Sequence, residues 1–146
     1  MTFAAGIIPY TFFNGTIYFL LGLERSNNKW SGFVGGSETG ETPQQTALRE
    51  FHEETTMSFL KLNDYIIESL KLTLPVIEKT KTGKKVYLWF VRFPPELNQA
   101  DFHKNQLKTN EPTLKEKSDI TWFSLAQIEN GNVLYILKKT IKKNFN

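Results

Sequence analysis

No cysteine occurs among the 146 residues of this chain, which excludes disulfides, thiolate metal sites and cysteine nucleophiles. That absence accords with a reducing compartment, and a cytoplasmic location is the expectation. Charged side chains are missing from residues 1–23. Such a run invites comparison with a secretion signal or membrane anchor, but it has no basic start, Pro9 interrupts it and Asn14-Gly15 falls in its middle. Two apolar, aromatic-rich segments flanking Asn-Gly instead read as a hairpin, because both residues tolerate positive φ. Residues 3–12 and 16–23 are therefore expected as paired strands. No later segment is long and apolar enough to span a bilayer. With neither an internal repeat nor a linker, residues 1–146 read as a single domain, long enough to bury a real core.

A net charge of +3 is too small to imply nucleic-acid binding, but its distribution is uneven. Acidic residues concentrate in residues 38–54 and lysines in residues 79–85 and 138–143. Folding can set an acidic metal pocket near a basic rim that attracts phosphate; solvated lysine faces are the plainer alternative. Thr42, Pro43 and Gln45 form a helix entry, with an N-cap, a proline at the first helical position and a capping box. Ala47, Leu48 and Phe51 give that helix an apolar stripe, and it is expected to stop near Thr55-Thr56. Residues 66–77 and 85–93 are rich in β-branched and aromatic side chains and are expected as a second strand pair. Residues 94–112 read as a long irregular loop, residues 120–123 as a short strand and residues 133–144 as a final helix. The expected fold class is α/β, a mixed β-sheet between helices.

The chemistry concentrates in the first helix and the glycine-bearing loop before it. Glu50, Glu53 and Glu54 stand at i, i+3 and i+4, which places them on adjoining parts of one helical face. Like charges so placed cost an isolated helix a few tenths of a kcal/mol per pair, roughly. A hard divalent cation reverses that sign, since Mg²⁺ seeks carboxylate oxygens. Gly35, Gly36 and Gly40 allow backbone to approach a cation and phosphate oxygens closely. Taken alone, paired glutamates more often make an ordinary solvated face; here they come in fixed register with Arg49, the capped entry and the glycines.

The segment resembles the Nudix box, G-x5-E-x7-R-E-U-x-E-E-x-G-U, with U a bulky apolar residue. Gly35, Glu41, Arg49-Glu50, Phe51, Glu53-Glu54 and Met57 match it, and Thr56 stands where the family has glycine. Looser similarity covers residues 4–8, residues 19–25, Trp30 and residues 116–125. The resemblance implies an α/β/α sandwich and an Mg²⁺-dependent hydrolase, with Mn²⁺ as an alternative ion, acting on a phosphoanhydride bond. It implies metal ligands at Glu50, Glu53, Glu54 and the Val34 carbonyl, with Arg49 orienting neighbouring carboxylates. The base is left between Glu53 and Glu116, and Glu116 has a further reading as a ligand or as a plain surface carboxylate. Trp30, Gly35, Gly36 and Arg25 are the expected substrate contacts. Trp30, Trp122 and Phe123 suit base stacking or core packing. His52 is expected at the surface, and His103 is a weaker candidate for touching substrate.

Thr56 is expected to alter the local turn, because a β-branched residue is strained at the positive φ that glycine accepts. The implied partner is a small nucleotide-type substrate, an RNA end being included. No membrane partner is expected, and the oligomeric state, a homodimer included, stays open. Two other readings stand beside the enzyme: a module that binds nucleotide or RNA without cleaving it, and a purely structural interaction domain. Substrate identity stays open too, since Pro75 falls only near the position of one subfamily marker.

Overall fold

Asn14 and Gly15 adopt φ of 51° and 78°, the left-handed pair that a tight hairpin requires. They join β1 (Ala4–Phe13) to β2 (Thr16–Glu24), paired antiparallel from Tyr10↔Phe19 to Phe13↔Thr16. The computed structural model describes residues 2–95 and 99–145. The other strands are β3 (Trp30–Ser31), β4 (Phe33–Gly36), β5 (Val76–Lys79), β6 (Lys85–Arg92) and β7 (Lys117–Ser124). Their order is β3-β2-β1-β6-β5, with β4 also on β1 and β7 also on β2. One edge of β1 is taken by parallel β6 over residues 4–10. Its other edge therefore changes partner, from β2 at residues 10–13 to β4 at residues 4–7. That change brings the glycines of β4 alongside the start of β1.

Alternation along the strands sends side chains to two cores. Ala5, Ile7, Leu20, Trp89 and Val91 face one way, with Phe51, Ile66 and Phe102 packed on them. Ile8, Phe19, Leu21 and Leu88 face the other way, against Ile128, Leu137 and Ile141. The helices are α1 (Pro43–Glu54), α2 (Asn63–Leu72), α3 (Gln99–Leu107), α4 (Leu125–Asn130) and α5 (Tyr135–Phe145). The first three supply the former core and the last two the latter, so a mixed sheet lies between helical layers. No helix among the described residues is long and apolar enough to cross a membrane.

Three expectations need correction. Residues 66–77 are not one strand: α2 occupies most of the stretch and β5 its end. Ile66 and Leu70, four apart, are both buried, so helical spacing prevails over β-branched composition. Residues 94–112 hold α3, anchored by buried Phe102 and Gln106 at the same spacing; residues 96–98 of that stretch lie outside the described residues. His52 is not at the surface. It is 7% exposed, its Nε2 donates to Asn63 Oδ1 at 2.8 Å, and burial lowers its pKa.

Candidate functional site

Helix α1 begins as its sequence dictates. Thr42 accepts from the Gln45 amide, Gln45 reaches back to the Thr42 amide and Pro43 takes the first turn. This entry fixes the helix phase, and with it the direction of each glutamate. Glu50 lies against β4 so closely that a Cβ on Gly35 would sit 2.1 Å from its carboxyl carbon. Gly35 is therefore required for space, in ordinary strand geometry. Gly35→Ala is expected to displace the Glu50 carboxylate and to cost on the order of 10²-fold in divalent-cation affinity, as when a ligand's immediate support is removed. A Mn²⁺ titration checks this, and unchanged affinity would refute the packing argument.

Arg49 spreads across the neighbouring acids. Its Nε donates to Glu41 at 2.7 Å, Nη1 to Glu50 at 3.0 Å and Glu53 at 3.2 Å, and Nη2 to the Gly36 carbonyl at 2.8 Å. The bond from Arg49 holds the Glu41 carboxyl down at about 2, so this pairing stays ionised through ordinary pH. One guanidinium thus ties the glycine loop to the helix. Gly36 enters the site through its backbone.

The carboxylates brought within ligand reach are Glu50, Glu54 and Glu116, whose oxygens lie within 4.8 Å of one another. Glu54 and Glu50 are buried and Glu116 is exposed. Burial, with further repulsion from Glu50 and Glu116, pushes the Glu54 carboxyl well above the usual range. Glu116 and Glu53 are likewise raised, burial being the main cause and Glu50 adding to it. Glu53 turns toward Arg49, beside this cluster. Such a crowded set of hard oxygen donors suits a divalent cation, which favours the ionised forms that burial and mutual repulsion disfavour.

A lysine that sequence reasoning missed partly offsets this charge. Lys117, 3% exposed, points its ammonium between Glu54 at 3.6 Å and Glu24 at 3.7 Å. It donates to Ser31 Oγ at 2.5 Å and to the Gly32 carbonyl at 3.0 Å. Its stem crosses Gly22, where a Cβ would come within 2.8 Å of it. Nothing local marks Lys117, which reads as loop between Glu116 and Ser118. Only the pairing of β7 with β2 turns it inward.

Two clefts adjoin each other beside this cluster, at Glu24 and Val34. One, of about 400 Å³, is lined by Glu24, Arg25, Val34, Glu54, Glu116 and Lys117. The other, of about 380 Å³, shares Glu24 and Val34 and continues along Val86, Leu88 and Leu137 to Lys79 and Lys81. Arg25 is engaged with backbone, its Nε donating to the Lys115 carbonyl at 2.9 Å. Trp30 packs its ring 5.0 Å from Phe123 within the second core, while Trp122 packs against the first. His103 pairs with Asp119 at 3.1 Å on the protein exterior. Thr56 does not reshape the turn: it takes φ of 51°, followed by Met57 at 61°, so the left-handed geometry persists without glycine. The strain is offset by hydrogen bonding, for Thr56 Oγ1 donates to the Leu114 carbonyl at 2.7 Å.

The sequence model of the NUDIX domain matches residues 2–143. Among curated proteins, Uncharacterized protein L534 of Acanthamoeba polyphaga mimivirus is 42% identical over 72 residues, 45% of this chain and 23% of that protein. The match thus spans about a quarter of that relative's length. Among solved structures, a C. elegans Ap4A hydrolase in a binary complex superposes with a TM-score of 0.61 at 19% identity, covering 96% of this chain and 93% of that one. The NUDIX domain of Shewanella oneidensis NrtR complexed with ADP ribose gives 0.60 at 15%, covering 97% and 84%. A NUDIX-family hydrolase from Clostridium perfringens gives 0.60 at 15%, covering 97% and 93%. At these identities the likeness is one of fold.

Proposed function

The chain belongs to the NUDIX domain family, and from that premise we propose that it hydrolyses a phosphoanhydride bond in a nucleoside diphosphate-linked substrate, using Mg²⁺ or Mn²⁺. The observation that carries this reading is the convergence of Glu50, Glu54 and Glu116, two of which, Glu54 and Glu116, line a cleft that shares Glu24 and Val34 with a mainly apolar one bearing Lys79 and Lys81. The apolar cleft's volume of about 380 Å³ falls in the range of small-molecule sites, about 300–1,000 Å³. Apolar walls formed by Val34, Val86, Leu88 and Leu137 suit a base or sugar, and Lys79 and Lys81 suit phosphate oxygens.

A divalent cation held by the three carboxylates, with Glu53 and the Val34 carbonyl as further candidates, supplies Lewis acidity to the phosphate oxygens. Arg49 keeps Glu41, Glu50 and Glu53 in register. Glu53 and Glu116 are the candidate acceptors of the attacking water's proton, and burial that raises a carboxyl's pKa makes it a better base near neutrality. Water oxygen bonds to phosphorus, the bridging P–O bond breaks, and the second phosphate leaves with little need of protonation. Positioning and charge neutralisation therefore carry most of the acceleration.

Dinucleoside polyphosphates, nucleoside triphosphates, nucleotide sugars and capped RNA ends form the test set, each with Mg²⁺ and with Mn²⁺. Cleavage of at least one class, dependent on the cation and abolished by chelation, is expected by chromatography of the products. Absence of turnover on all four would overturn the reading in favour of a binding module. Thr56, the departure from the Nudix box, keeps the left-handed turn.

A further inference from the structure

Glu116 is the cluster's exposed member, and it lies just outside the regular pairing of β7 with β2, where the register shifts between Leu23 and Glu24. A ligand on such a segment needs another means of being held, because backbone without ladder bonds opens easily. Four successive carbonyls around it are each engaged. Thr56 Oγ1 donates to Leu114 at 2.7 Å, Arg25 Nε to Lys115 at 2.9 Å, the Arg25 amide to Glu116 at 2.9 Å and Gln106 Nε2 to Lys117 at 2.5 Å.

The donors are also joined to each other. Arg25 Nη2 donates to Gln106 Oε1 at 3.2 Å, and Gln106 Nε2 approaches Thr56 Oγ1 at 3.4 Å. From α3, Asn105 Nδ2 donates to the Thr56 carbonyl at 2.9 Å. Thr56 and Gln106 are 2% and 7% exposed, and the bonds from Gln106 Nε2 to Thr56 and Lys117 are buried. One residue separates Thr56 from Glu54, and two separate Leu114 from Lys117, so the network ties the end of α1 directly to the segment bearing Glu116.

We propose that Thr56, Gln106 and Arg25 are positioning residues: together they clamp the backbone of residues 114–117 and hold Glu116 in register with Glu50 and Glu54. The inference rests on the cation-dependent reading of that cluster. A hydroxyl at position 56 is what glycine at this turn cannot offer, and Thr56 retains it in a backbone conformation unfavourable to its own side chain. Arg25 thereby acts on the site through the main chain it holds.

The roles of clamp and of plain structural filler separate at Thr56→Gly. Glycine relieves the backbone at φ of 51° while removing the bond to Leu114. Melting of the metal-free variant is therefore expected at or above the wild-type temperature, although its Mn²⁺ affinity in substrate-free calorimetry falls about 10-fold, the lower end for loss of a ligand's supporting hydrogen bond. Thr56→Ser keeps the hydroxyl and is expected to keep wild-type affinity. Gln106→Leu, which frees the Lys117 carbonyl, is expected to lose affinity to a similar degree. If Thr56→Gly and Gln106→Leu bind Mn²⁺ like wild type, whatever their melting temperatures, the clamp is overturned. Glu50→Gln is the control. If that variant too binds Mn²⁺ unchanged, it is the cluster's cation-binding reading that fails, and the clamp with it.

Discussion

Glu50→Gln is expected to lower kcat on the order of 10³-fold or more with Mg²⁺, and to weaken Mn²⁺ binding in parallel, while the protein melts normally. Glutamine matches glutamate in shape, so the contact with Gly35 survives and its amide oxygen still accepts from Arg49 Nη1, 3.0 Å away in the native chain. What disappears is a negative charge, 8% exposed, in a set whose oxygens lie within 4.8 Å. Electrostatic interactions in such a site are little screened by water, and removing a single neutral donor to a developing charge already costs about 10²–10³-fold in kcat. A formal charge that anchors the cation should cost at least as much. The measurement is a steady-state comparison with a melting curve beside it. Activity within tenfold of wild type would show that Glu50 does not carry the reaction.

Lys117→Met is expected to give the largest loss of stability, about 3–5 kcal/mol, because it strips the ammonium from a buried pair and leaves the Glu54 carboxylate uncompensated. In a chain of this size each kcal/mol moves the melting temperature by about 2–4 °C, so a fall of roughly 6–20 °C follows. The loss should be greatest without divalent cation and partly recovered by Mg²⁺ or Mn²⁺, since a cation on Glu54 takes over the charge balance. The double variant Lys117→Met/Glu54→Gln should be more stable than Lys117→Met alone, for it removes both ends of the pair. A cation-insensitive loss below about 1 kcal/mol would mean that solvent screens this pair as at a surface.

Both effects arise from residues that differ in how far the sequence reveals them. Glu50 is visible twice over, by its place on a helical face and by its register with Gly35 and Arg49. Lys117 is visible in neither way, because its burial follows from pairing with a strand more than ninety residues earlier, Glu24↔Lys117. The same distinction explains the misread stretches. In residues 66–77 the β-branched run outweighs a short i, i+4 pattern until the burial of Ile66 and Leu70 decides for helix. In residues 94–112 a mostly polar surface conceals the two anchors, Phe102 and Gln106, that dock α3. His52 is polar and lies among charges, so only the packing of α2 through Asn63 accounts for its burial.

Local chemistry was enough to set the hairpin at Asn14-Gly15, the capped start of α1 and the phase that aligns Glu50 with Glu54, since each depends on residues at most a few positions apart. Which carboxylates come together lay beyond it. The chain's spacing puts Glu53 with Glu50 and Glu54, whereas the fold brings Glu116 beside Glu54 and turns Glu53 toward Arg49. The left-handed turn at Thr56 was likewise settled from afar, by a carbonyl fifty-eight residues on. Spacing along one helix follows from its period, but contacts between distant segments arise only when the whole sheet has closed.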